Sequence, residues 1–236
     1  MKEGTKLYIA SRSSEKIPKL ISGNDALKVY NSLSYQTRIG LNLINYQGKL
    51  TMVGSTPIAV ANLDSFAKGD NTRTPNLRDL SRSEVMELID KEYYIDARDL
   101  IVRSIRDSDQ PKNNSLLKTI YELAEQKLGK ISGPFMISGF RFVLDKEDNN
   151  GYGLIILPTS GFSVIGDERF GGKYNGQVFS EVDEFGIPRF DKEGKRNWWA
   201  KKDGLSRICL VKNLDLYSGN ECLTDSCDKG RVVFLK

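Results

Sequence analysis

The chain contains no histidine. Its absence removes the commonest general base near neutral pH, and with it the Ser-His and Cys-His pairings of nucleophilic catalysis. Cysteine is almost as scarce. Cys209, Cys222 and Cys227 are the only three, all in the last 28 residues, so a disulfide framework does not hold the fold together. They include no Cys-x-x-Cys pair, and three thiolates without histidine lack the fourth ligand of a structural zinc site. No apolar run approaches the ~20 residues that span a bilayer. The opening Met-Lys-Glu-Gly-Thr-Lys-Leu-Tyr-Ile-Ala lacks the apolar core of a secretion signal. These absences lead us to expect a soluble protein with no membrane insertion, no metal site and no cofactor.

Catalytic motifs are missing too. Gly161-Phe-Ser163-Val-Ile-Gly166 places its second glycine one position late for a nucleophile elbow. Gly172-Lys173 has Asp167 where a phosphate loop needs glycine, and Tyr174 where it needs Ser or Thr. The acidic residues Asp167, Glu168, Glu181, Asp183 and Glu184 admit a metal-dependent hydrolase, but carboxylates in such a region are ordinarily just solvated.

What is present is ordinary for a globular protein: 39% hydrophobic and 28% charged residues, with a mild net charge of +4. At 236 residues the chain can bury a substantial core. Residues 6–10 read as a short strand. Asn24 caps a helix through Leu33, and residues 37–60 alternate around Gly40, Gly48 and Gly54 as strands and turns. Residues 62–80 read as a loop. Ser81 to Glu84 fits a capping box for a helix running towards Ile95, with a second stretch through Leu100 and Val102 to Ile105. Ser115 caps an amphipathic helix with Leu116, Ile120, Leu123, Ala124 and Leu128 on one face, ended by Gly129. Strands follow at 135–144 and 152–157, the latter stopping at Pro158, and residues 158–197 form a loop-rich region with a short hairpin. The class expected is α+β, helices in the N-terminal and central parts preceding a loop-rich antiparallel sheet region.

Two features stand out near the C-terminus. Arg189 to Lys202 carries six basic residues against Asp191 and Glu193, and includes Trp198-Trp199. Basic groups beside aromatic platforms suit single-stranded nucleic acid. The commoner role for an adjacent aromatic pair entering a strand is to bury at least one ring, which makes nucleic acid the weaker alternative. After it, Ile208, Leu210, Leu214 and Leu216 occupy even positions, broken only by Lys212, and the odd positions share the opposite strand face.

The frame Gly-Leu-x-Arg-Ile-x-Leu-x-x-x-Leu-x-Leu-x-Ser-x-x-x-x-Leu-x-x-Ser-x-x-x-Gly-Arg-Val-Val, preceded by Trp-Trp, resembles the variable region of diversity-generating retroelement target proteins, in particular those of archaeal, nanoarchaeal-type elements. In that family, reverse transcription randomises template adenines, and AAC-type codons yield Asn, Asp, Tyr, Ser, Cys, Gly and Val among others. Ser206, Cys209, Val211, Asn213, Asp215, Tyr217, Gly219, Asn220, Cys222, Asp225, Cys227 and Asp228 fit this alphabet, while Lys212, Glu221 and Lys229 depart from it but occupy the same gaps. The resemblance covers residues 198–235. It implies a C-type lectin fold across a single domain, with residues 1–70 as an N-terminal extension and 198–235 as a non-catalytic ligand-binding region. Those fifteen residues would be its exposed face, with Arg207, part of the frame, fixing loop geometry. The implied partner is a protein or surface macromolecule, and display on a cell or virion is the implied setting.

Overall fold

The computed structural model describes residues 19–35, 37–46, 48–67, 72–89, 93–219 and 222–236. β1 (Lys19–Leu20) leads to α1 (Asn24–Ser32), the hairpin β2 (Asn42–Tyr46) and β3 (Lys49–Val53), then α2 (Pro57–Ala67) and α3 (Ser83–Met86). β4 (Ile95–Val102), α4 (Asn113–Leu128), β5 (Phe135–Leu144) and β6 (Leu154–Gly166) follow. The chain continues through β7 (Gln177–Val182), β8 (Pro188–Phe190), β9 (Arg196–Ala200), β10 (Leu205–Leu210), β11 (Leu216–Ser218) and β12 (Val233–Phe234). One eight-stranded sheet runs β6-β5-β4-β10-β11-β9-β7-β8. Its pairings are antiparallel except that of β11 with β9, so the fold is α+β with a mixed sheet. Among the described residues no helix is long and apolar enough to cross a membrane.

Each face of this sheet carries a core. Leu100, Val102, Phe135 and Leu205 pack under Leu116, Leu117, Ile120 and Ala124 of α4, with Ile58 and Ala61 of α2. On the opposite face, Ile101, Trp198, Ile208, Leu210 and Leu216 pack with Leu77 and Leu80 from the 3-10 turn 77–81. A third cluster joins Val29 of α1, and Leu33 just after it, to Met52, Ala59, Leu63 and Phe234. Because α2 feeds two of these clusters and β1 pairs with β12, residues 19–67 are built into the packing of the rest.

Where the elements differ from expectation, burial explains the difference. α2 occupies a stretch read as strand and loop. It is apolar almost all round, because it is sandwiched between two cores, and so it lacks the one-sided pattern of a surface helix. β4 replaces the expected second helical stretch through Leu100 and Val102. It is an interior strand buried on both faces, and its aspartates Asp96 and Asp99, each 1% exposed or less, disguise it. The helix expected to reach Ile95 is only four residues, and the capping box lies earlier, where Asn76 and Asp79 exchange bonds between side chain and backbone. β6 runs through Pro158 because it is the sheet's edge strand, where a missing N–H is tolerated, and the ladder with β5 is irregular there. Residues 158–197 accordingly hold the end of β6, then β7, β8 and the start of β9. α4 spans nearly the expected range, ending at Gly129, but it starts at Asn113, so that Ser115 lies inside its first turn and bonds Asp148 instead of capping, and Leu128 is exposed at its end. The strand expected at residues 6–10 lies outside the described residues.

Candidate ligand-binding face

The expected strand alternation from 207 to 217 is carried by a hairpin. β10 ends at Leu210, residues 212–214 make a 3-10 turn, and β11 returns with Cys209 opposite Tyr217 and Leu210 opposite Leu216. The five-residue connection preserves parity, so even residues of both strands still face one way. Ile208, Leu210 and Leu216 are fully buried in the second core, while Leu214 packs against it half-buried. Lys212 breaks the apolar series because it sits in the exposed turn. Asn213 and Leu214 both take left-handed backbone angles, φ 65 and 64, a conformation asparagine tolerates better than most residues. Arg196 secures the turn by donating to the Leu214 carbonyl at 2.6 Å and lies over the Phe179 ring, and desolvation pulls its pKa down to about 10.

On the odd-numbered face, parallel pairing of β11 with β9 sets Trp199 beside Tyr217 and Trp198 beside Leu216. Trp198 is therefore fully buried, whereas Trp199 is 40% exposed. Between these aromatic residues and the turn lies Asp215. Its carboxylate accepts from the Asn197 backbone N–H at 2.7 Å, from the Asn197 amide and from the Trp199 indole Nε1 at 3.1 Å.

The loop Cys222–Lys229 closes the surface, and the scaffold grips it mainly through its backbone. Arg207 Nη1 donates to the Asp225 carbonyl at 2.6 Å, and Nη2 reaches the Ser55 carbonyl at 2.9 Å. The same guanidinium forms a buried bidentate pair with Asp96 and stacks over Tyr94. The Tyr94 hydroxyl accepts from the Cys227 N–H, and the Tyr94 N–H donates to the Lys229 carbonyl. Arg231 donates to the Asp228 carbonyl. Ser226, a frame position, donates to the Gly40 carbonyl at 2.6 Å and accepts from the Ser55 N–H at 2.9 Å. This contact needs glycine at 54, which has φ 86 and where a Cβ would come within 1.9 Å of the Gly40 carbonyl oxygen. Leu223, another frame position, is buried in the first core.

The side chains of Asp225, Cys227, Asp228 and Lys229 are left exposed, as are those of Lys212 and Asn213. Cys227→Ser and Asp228→Ala are therefore expected to change folding stability by no more than ~0.5 kcal/mol each, while Ser226→Ala costs about 1–2 kcal/mol. Urea denaturation of the three variants measures the contrast.

Four of the residues expected on the exposed face are buried. Ser206 points to the second core's side, where it bonds the Ser218 hydroxyl at 2.7 Å and accepts from Arg103 at 2.6 Å. Desolvation pulls the Arg103 guanidinium down to about 9, against the charge of Asp107. Cys209 is 2% exposed because it is a small side chain on an interior strand, flanked by Tyr217 on β11 and Asp96 on β4. Asp215 is 5% exposed for the reason just given, its hydrogen bonds. Gly219 lies under the Tyr217 ring, which a Cβ would meet at 2.3 Å. Val211, Tyr217 and Cys222 are half-buried, and Asn220 and Glu221 lie outside the described residues. Cys222 Sγ sits 3.0 Å from the Tyr152 hydroxyl, which donates to Asn113 at 2.9 Å, and burial together with Cys222 pushes the Tyr152 pKa up.

The basic segment is spent in part on the fold. Lys201 is buried in an ion pair with Asp107 at 2.8 Å, Arg196 holds the turn, and Trp198 is core. Arg189, Lys192, Lys195 and Lys202 remain exposed. In the acidic region, Asp167 and Asp183 both clamp Arg169, at 2.6 and 2.5 Å, and their carboxylates are so engaged. Neither family models, nor curated protein sequences, nor solved structures gave a match to this chain.

Proposed function

We propose that this is a non-catalytic binding protein of C-type lectin fold, the variable protein of an archaeal-type diversity-generating retroelement. Its ligand face comprises the turn Val211–Asn213, Tyr217 and the loop Cys222–Lys229. One observation carries the reading. The loop is anchored by Arg207, Tyr94 and Arg231 through main-chain atoms, and by the frame residues Leu223 and Ser226, so the exposed side chains of Cys227 and Asp228 contribute little to folding. A loop held in this way accepts many substitutions at once, which random codon replacement requires. Half-buried Tyr217 beside small polar residues suits an adaptable protein-binding surface, rigid aromatic area next to flexible hydrogen-bonding groups. A protein or other surface macromolecule is the ligand class proposed.

The locus provides the test. A near-identical template repeat should stand beside a reverse-transcriptase gene, differing from the codons of residues 198–235 almost only at template adenines. A locus with no such repeat would sink the proposal.

A further inference from the structure

Asp215 occupies a position proposed to vary, yet its side chain is buried and faces protein rather than ligand. Its two carboxylate oxygens have specific work. One receives the Asn197 N–H at 2.7 Å, and the other receives the Trp199 indole N–H at 3.1 Å. Trp199 stands in register with Tyr217 on the same sheet face, and at 40% exposure it is, with Tyr35 and Phe185, one of the exposed large aromatic side chains among the described residues. An indole has two rotatable side-chain bonds, and a hydrogen bond at Nε1 selects among the orientations they allow.

We infer that Trp199 is a constant aromatic anchor of the ligand face and that Asp215 is its positioning residue. Variation at position 215 then acts at one remove, by deciding whether the indole is clamped. Aspartate, with two acceptor oxygens, holds the Asn197 N–H and the Nε1–H at once, whereas Asn and Ser, with one acceptor oxygen each, can hold only one of them. Gly and Val can hold neither, and leave the ring free to change rotamer. A randomised codon at this buried site thereby alters the binding surface without presenting any side chain to the ligand. This inference rests on the proposed binding face.

The two tryptophans make the clamp measurable, because Trp198 is fully buried and serves as an internal reference. In the full chain, Asp215→Ala is expected to increase acrylamide quenching of the exposed indole, with Asp215→Asn, which keeps one of the two acceptor oxygens, falling between it and wild type. Trp199→Phe should leave only the shielded Trp198 signal. Loss of native far-UV circular dichroism in Asp215→Ala would shift the test to Asp215→Asn, where quenching above wild type supports the clamp and quenching equal to wild type overturns it. Equal quenching of Asp215→Ala and wild type, both folded, overturns the positioning role.

Binding is read with a random linear-peptide library displayed on phage and selected against the wild-type chain. Peptides that bind the face should weaken at least about thirtyfold on Trp199→Ala, the scale of an interface hot spot. On Asp215→Ala they should weaken on the order of tenfold, the scale of one hydrogen bond. Peptides sensitive to Lys212→Ala and Asp228→Ala but indifferent to Trp199→Ala would refute the anchor while leaving the binding face in place. Peptides indifferent to all of these would refute both.

Discussion

Replacing Arg207 with alanine is expected to cost about 3–5 kcal/mol of folding stability, the usual penalty for stranding one member of a buried ion pair. Asp96 would be left fully buried without its partner, since both side chains of the pair are at most 1% exposed. The Ser55 and Asp225 carbonyls would lose their donors at the same time, and Tyr94 the cation that covers it. Urea denaturation at neutral pH measures the first effect. Hydrogen exchange measures the second, because amides of residues 222–229 should lose protection. The double replacement Arg207→Met with Asp96→Leu separates the two. It removes the stranded charge and should recover much of the stability, as apolar pairs of similar volume often do. It cannot recover the bond to the Asp225 carbonyl, so the loop should stay unprotected. A single variant that loses less than about 1 kcal/mol would show that the pair is not the anchor described.

Asp107→Ala is the second large effect, again about 3–5 kcal/mol, because Lys201 would remain as an unpaired buried ammonium. The carboxylate is a hub. It accepts from Lys201 Nζ at 2.8 Å, from the Asn113 amide at 2.6 Å, and from the backbone N–H groups of Leu205 and Gln110. It thus ties the start of α4 to the start of β10 and the end of β9. Burial by itself would raise the Asp107 pKa, but the bond from Lys201 and those from Asn113, Leu205 and Gln110 outweigh it and hold the carboxyl below its ordinary value. The sign of the pH dependence follows. A carboxyl with a lowered folded-state pKa binds fewer protons folded than unfolded, so its stabilisation is complete above the unfolded value near ~4. That stabilisation is lost as pH falls from there through the folded-state value. In acid titrations monitored by circular dichroism, Asp107→Asn should show less stability near neutrality and a flatter decline below about pH 4 than wild type. Parallel acid profiles for the two proteins would count against this role.

How far these sites were legible differs from residue to residue. Alternation identifies which side chains share a face, and Ile208, Leu210 and Leu216 do line one core. It cannot say whether the opposite face is open. Cys209 and Asp215 lie on that face and are nonetheless buried, because neighbours brought in by β4 and β9 enclose them. Ser206 lies on the core side, where its hydroxyl is satisfied by Ser218 and Arg103, a partner 103 residues away. Arg207 was expected to fix loop geometry. Its partners, Asp96, Ser55 and the Asp225 carbonyl, have no signature in sequence. Nor does the role of Asp215, since a short aspartate before a strand looks the same whether it meets water or an indole.

By itself the sequence determined what local chemistry and periodicity control. Those are the absence of histidine-based catalysis, the amphipathic α4 with its glycine stop, the parity of residues 208 to 217, and the burial of one ring of the tryptophan pair. Tertiary structure alone decided the identities of α2 and β4, and which of the gap residues reach solvent. The physical reason is common to both. An element buried on two sides has no polar face to mark its period, and the exposure of a side chain depends on what distant segments lay over it. The loop Cys222–Lys229 illustrates the second case, since its exposed side chains are held out by partners as far away in the chain as Gly40 and Ser55.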